Sequence, residues 1–251
     1  MQPNKYKSIF ISDIHLGSRG CKAELLCNFL KYNNSESLYL VGDIVDGWRL
    51  QRYWYWPQEH NNVLRRLLTA AKRGTTIKYI AGNHDEAIRP WLKHIPNIGN
   101  VSFSNKEEYI AINESKYLVV HGDMFDTLMA AVQGKFLMRL GDRLYDVIII
   151  LNDWHCRVRS KFGLNYWSMS GWIKSHTKQA IGYILNFEGL IADYCKKKGY
   201  DGIICGHIHH PIIKNIDGIT YMNDGDWVEN CSALVENYDG TWEIIYWNKI
   251  I

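Results

Sequence analysis

The sequence predicts an α/β protein, a β-sandwich with helices on both outer faces and a helical insertion. Three observations predict it. Apolar strand runs alternate with helical periodicity at the start of the chain, hairpin turn signals crowd its end, and the stretch between carries apolar residues at helical spacing.

Lys7 to Ile11 reads as strand, Lys22 to Lys31 as helix, Leu38 to Val41 as strand, Glu59 to Arg73 as helix and Ile77 to Ile80 as strand. This β-α-β-α-β order opens a layered sheet. Tyr109 to Ile112 and Tyr117 to Val120 flank a turn at Asn113-Glu114-Ser115, and Ile212 to Ile216 and Ile219 to Met222 flank Asp217-Gly218. A third hairpin turns at Asp239-Gly240, between Ala233 to Glu236 and Trp242 to Trp247. From Asp126 to about Lys198, Leu128, Val132, Phe136, Leu140, Leu144, Val147 and Leu151, then Ile173, Ala180, Ile184, Phe187 and Ile191, recur at helical spacing around the aromatic run Tyr166 to Trp172. The domain expectation is therefore a core of residues 1–125 and 199–251 and a helical insertion of residues 126–198. The insertion reads either as helices packed on the core or as a lid, because both its roots adjoin polar blocks described below.

With 251 residues and 47% hydrophobic composition, such a domain can bury a large core without staples. The net charge of +3 is too small and too evenly spread for a nucleic-acid footprint, so no nucleic-acid partner is expected. Basic clusters at Arg157 to Lys161 and Lys196 to Lys198 could still meet head groups. The six cysteines are isolated, with no Cys-x-x-Cys pair, which points to a reducing compartment. The short apolar run Ile9 to Ile11 predicts no signal peptide, and no stretch predicts a membrane span. The expected location is cytoplasmic.

Five blocks carry the chemistry: Asp13-Ile14-His15, Gly42-Asp43, Gly82-Asn83-His84-Asp85, His121-Gly122-Asp123 and Gly206-His207-Ile208-His209. Each follows an apolar strand run, which delivers its polar groups to a carboxyl edge, where α/β sheets place their sites. Imidazole, carboxylate and amide oxygen without thiolate suit divalent Mn, Fe, Zn or Co. A lone Gly-Asp or histidine at a strand end is ordinarily a turn or a satisfied polar group; five such blocks together are not. His60, His94, His155, His176 and His210 fall outside this set and read as ordinary histidines.

In this order the blocks resemble those of the calcineurin-like metallophosphoesterase superfamily. The resemblance implies a four-layer α/β/β/α sandwich and two divalent metals. One metal would take Asp13, His15, Asp43 and His209, and the other Asp43, Asn83, His121 and His207, with Asp43 bridging. Such a pair activates water for in-line displacement at phosphorus. His84 then stands in the general-acid position, oriented by Asp85 or Asp46.

The chain more narrowly resembles the UDP-2,3-diacylglucosamine diphosphatase group, through Ser12 to Gly17, Gly42-Asp43 with Trp48 beyond, His121 to Asp123, the insertion, and Gly206 to His209 followed by Pro211. That resemblance implies manganese, cleavage of the diphosphate of a UDP-linked diacyl sugar in lipid A synthesis, and peripheral contact with the cytoplasmic face of the inner membrane. Trp48, Arg49 and Arg52 could contact a nucleobase and diphosphate or pack the insertion, and Phe136 and Trp167 could meet acyl chains. His84 departs from the group, which typically has arginine there; in this, and in stretches such as Tyr53 to Pro57 and Gly225 to Glu229, the chain resembles a paralogous branch. The alternative is a metallophosphoesterase acting on another nucleotide-linked or soluble phosphodiester, or a nuclease.

Overall fold

The computed structural model describes residues 3–94, 97–126 and 178–250. Its first part runs β1 (Asn4–Ile11), α1 (Ala23–Tyr32), β2 (Asn33–Val41), α2 (Gly47–Arg52), α3 (Gln58–Lys72) and β3 (Thr76–Ile80). β2 pairs in parallel with both β1 and β3, so the three carboxyl ends emerge on one edge.

The strands sort their side chains by alternation. Ile9, Ile11, Leu38, Leu40 and Ile77 face Leu26 and Phe29 of α1 and Val63 and Leu67 of α3 in one core. The residues between them, Phe10, Tyr39, Val41 and Ile80, enter a second core. Both helices present their buried residues at three- and four-residue spacing, which is why they can cover a sheet.

After β4 (Asn97–Ile98) and β5 (Val101–Ser104) come β6 (Glu107–Ile110) and β7 (Lys116–Val119); after α4 (Lys178–Lys198) come β8 (Gly202–Cys205), β9 (Ile212–Ile216), β10 (Ile219–Asn223), β11 (Ser232–Glu236) and β12 (Trp242–Tyr246). One sheet has seven strands in the order β12-β11-β1-β2-β3-β5-β4, the other five in the order β6-β7-β8-β10-β9. Between the sheets, Phe10 and Tyr39 meet Tyr109, Tyr117, Val119, Ile204 and Met222. The Phe10 and Tyr39 rings stack at 4.6 Å, with Tyr109 edge-on to Phe10 at 5.2 Å. The buried Glu236 carboxylate accepts from the Tyr109 hydroxyl and from the Ile112 backbone N–H, tying the two sheets together. The result is the mixed α/β sandwich that the sequence predicts.

The chain divides into two compact units, Met1–Asp123 with Ala192–Ile251, and Met124–Ile191. Within the smaller unit Phe125 and Phe187 are buried against each other, ring centroids 6.1 Å apart. Most of the insertion, including Phe136 and Trp167, lies outside the described residues. No helix among the described residues is long and apolar enough to cross a membrane.

Candidate metal centre

The five blocks converge because parallel strands from both sheets end beside one another. β1, β2 and β3 deliver the first three; β7 and β8, parallel neighbours in the second sheet, deliver His121 and the His207 to His209 turn. The chain bends sharply at these ends. Asp13, His15, Asp43, His207 and His209 have φ of 49, 53, 54, 67 and 52°, in the left-handed region that non-glycine residues avoid at a cost of about 1–3 kcal/mol each. The adjoining glycines make room: a Cβ on Gly82 would strike the Asp43 carboxylate, and one on Gly206 would strike Ser12 Oγ and the Asp13 carboxylate.

Asp13, Asp43 and His121 are fully or nearly fully buried, and His15 is 8% exposed. Asp13, His15 and His209 each place one ligand atom within 4.8 Å of the others, as do Asp13, Asp43 and His121. His209 Nε2 lies 3.0 Å from Asp13 Oδ1, and His121 Nε2 lies 3.3 Å from Asp43 Oδ2 and 3.2 Å from Asn83 Oδ1. The His207 ring stands 5.1 Å from that of His121, and the His207 backbone N–H donates to Asp13 Oδ2 at 2.9 Å. Nδ1 of His121 is bonded to Val41 O at 2.9 Å, which leaves Nε2 aimed at Asp43 and Asn83.

His84 is boxed in. Its N–H donates to Asp43 Oδ1 at 2.9 Å, its carbonyl accepts from Gly47 N at 2.9 Å, and its Nδ1 lies 3.0 Å from Asp46 Oδ1. The Trp48 ring covers it at 4.3 Å, with Trp48 Nε1 donating to Glu86 at 3.0 Å. Of the two carboxylates expected to orient His84, Asp46 makes the contact. Asp85 instead accepts from the backbone N–H groups of Gly82, Asp43 and Ile44 and from the Tyr79 hydroxyl, so it fastens the third block to the second. Arg49 Nε lies 3.2 Å from Asp46 Oδ2, while Arg52 is exposed at the end of α2.

Charge balance follows from this crowding. Burial would raise Asp13, but His209, His121 and His15 hold its carboxyl well below the usual range. Burial would lower His15, but Asp13, Asp46 and Asp43 outweigh it and raise the imidazole to about 10. Burial would likewise lower His121, and Asp43 and Asp13 raise it well above normal. Asp224 goes the other way, pushed well up by burial against the weaker effect of Ser12. Ser12 Oγ lies 2.6 Å from both Asp13 Oδ2 and Asp224 Oδ1, and one hydroxyl proton cannot serve two carboxylates. Burial that favours the uncharged form of Asp224 would let its carboxyl donate the second.

Several residues of the centre had no individual role in the sequence reading: Asp224 and Arg89 were not singled out, and Ser12, Asp123 and Asp226 stood only as members of longer stretches. Asp226 accepts from the backbone N–H groups of Val228 and Asn230, and its Oδ2 lies 3.8 Å from His209 Nδ1. The one available signal was the polar cluster Asn223 to Asp226, which ends β10 beside a glycine as the recognised blocks do.

A family model for calcineurin-like phosphoesterases matches residues 6–211. The UDP-2,3-diacylglucosamine hydrolase of Haemophilus influenzae (strain PittGG) is 22% identical over 238 residues, 91% of this chain and 94% of that protein. That of Neisseria meningitidis serogroup B (strain ATCC BAA-335 / MC58) is 23% identical over 240 residues, 92% and 93% of the two chains. The DNA polymerase II small subunit of Methanothermobacter thermautotrophicus is 25% identical over 158 residues, 50% of this chain but 32% of that protein, so the chain spans about a third of that relative's length. Among solved structures, Yfce, a phosphoesterase from E. coli, aligns with 14% identity and a TM-score of 0.45 over 95% of this chain and 98% of that one.

Proposed function

The chain belongs to the calcineurin-like phosphoesterase family and is a metal-dependent hydrolase, and from that premise we propose that it cleaves the diphosphate of a UDP-linked diacylglucosamine using two divalent ions, with manganese the expected metal. One metal would be held by Asp13, His15, Asp43 and His209 and the other by Asp43, Asn83, His121 and His207. The observation that carries the metal reading is Asp13 Oδ1. It is fully buried and its nearest polar neighbours are two imidazole nitrogens, His209 Nε2 at 3.0 Å and His15 Nε2 at 3.7 Å, so a carboxylate and two imidazoles converge as the donors of a divalent cation do. Neutral imidazole and carboxylate oxygen are the donors such cations take.

When bound, the two ions supply Lewis acidity at phosphorus and acidify the attacking water. The rest falls to the chain. Asp46 holds His84 by Nδ1, so Nε2 is the atom left to protonate the departing oxygen, and Trp48 keeps that ring from turning. Arg49, which lies 3.2 Å from Asp46, and Arg52 beyond it would on this reading offset phosphate charge. On this reading the insertion of residues 126–198 covers acyl chains, and the protein works against the cytoplasmic face of the inner membrane.

His84 favours a second reading. The resemblance to the diacylglucosamine group implies arginine where this chain has histidine, so another nucleotide-linked or soluble phosphodiester is the alternative substrate. Manganese-supported turnover of UDP-diacylglucosamine, UDP-sugars, a bis-aryl phosphate and single-stranded DNA separates them. UMP release from the diacyl substrate is the expected result. Good turnover of a soluble nucleotide sugar with none of the diacyl substrate would move the assignment to the alternative.

A further inference from the structure

Asn83 and His121 reach the same point from different sheets. Asn83 follows β3 in the seven-stranded sheet and His121 follows β7 in the five-stranded one, so no strand ladder sets their separation. Their side chains nevertheless stand 3.2 Å apart, Nε2 to Oδ1. A guanidinium spans the gap behind them. Arg89, in the 3-10 turn Glu86–Trp91 that follows the third block, donates from Nη2 to Ala81 O at 3.1 Å and to Asp123 Oδ2 at 2.7 Å. Ala81 directly precedes Gly82-Asn83, and Asp123 stands two residues beyond His121.

We propose that Arg89 and Asp123 form a strap between the sheets that sets Asn83 against His121 and thereby governs affinity for one of the two ions. The proposal rests on the assignment of Asn83 and His121 to a common ion. Arg89 suits the role because one nitrogen of its rigid fork binds a backbone carbonyl and a carboxylate at once, which a rotating ammonium does less well. The other set of donors is braced elsewhere. Asp13 is bonded to Ser12, which reaches Asp224 and Gly225 O, and Asn230 donates to His209 O at 3.0 Å, none of them through Arg89. The strap is therefore selective for one ion. Arg89 and Asp123 are positioning residues, since neither is placed among the ligands.

Calorimetric titration of the metal-stripped full chain with Mn(II) tests this in Arg89→Met and, in case that variant does not fold, in Asp123→Ala, which removes the same bond from the other side. Loss of a partner that orients metal ligands weakens binding by about 10–100-fold. Each variant is expected to show that loss for one ion while the other stays within about twofold, with Arg89→Lys recovering part of it. A general loss of packing would weaken both alike. Equal weakening of both ions, or two unchanged affinities, overturns the strap and leaves the metal assignment standing. An unmodified chain that takes up fewer than two ions overturns that assignment and the strap with it.

Discussion

His84 is held by its backbone N–H, its carbonyl, one ring nitrogen and one ring face, a degree of fixation that suits the proton donor it is proposed to be. His84→Ala should keep its metals and lose roughly 10²–10⁴ in turnover, least with a nitrophenolate leaving group that needs no proton. Comparing aryl phosphates of graded leaving-group strength measures this; an equal loss across the series would make His84 a phosphate-positioning residue. The buried imidazoles make a second prediction. The carboxylates around His15 and His121 outweigh burial and raise both imidazoles, His15 to about 10, which favours the protonated ring in the metal-free protein, so an incoming ion would displace protons. Metal uptake at pH 7 should release protons, and affinity should climb as pH rises toward the His15 value of about 10. Titrations in buffers of unequal ionisation enthalpy report the release, and uptake without it contradicts the ligand assignment. The recognised blocks were legible because imidazole, carboxylate and glycine are conspicuous after an apolar run. Ser12, Asp224 and Arg89 were not, since a hydroxyl, an acid or an arginine gains its role only from a neighbour far along the chain.

Among the elements, the hairpins and parallel strands were legible because alternation and Asp-Gly turns are local signals. The misses have local reasons too. β2 begins at Asn33 rather than Leu38, since polar Asn33, Asn34, Ser35 and Ser37 pair with β1 although their composition does not announce a strand. α2, six residues long, read only as an aromatic cluster, and β5, Val101–Ser104, is too short to show a period. The close approach of Gly206 to Ser12 and Asp13 leads to a prediction at the level of the elements. Gly206→Ala places a methyl group against Ser12 and Asp13, so it should fold yet lose most of its metal affinity. Circular dichroism with metal analysis decides it, and an alanine variant with full metal content would contradict the packing described here.

At the scale of the molecule the sandwich supplies the site, and the insertion is proposed to supply the substrate preference. Burying acyl chain contributes about 0.8 kcal/mol per CH₂, so a few methylenes change affinity by orders of magnitude, while a small diester gains nothing from the same surface. Phe136→Ser or Trp167→Ser should weaken hydrolysis of a long-chain diacyl substrate and leave bis-aryl phosphate turnover nearly intact. A parallel fall in both activities would make the insertion structural. The central claim is the dinuclear centre around Asp13 and Asp43, and metal analysis of a fully active preparation tests it most directly. About two divalent ions per chain are expected, with activity lost on chelation and restored by manganese, and near-complete loss in Asp43→Ala, whose carboxylate would serve both ions. Full activity with substoichiometric metal would contradict it.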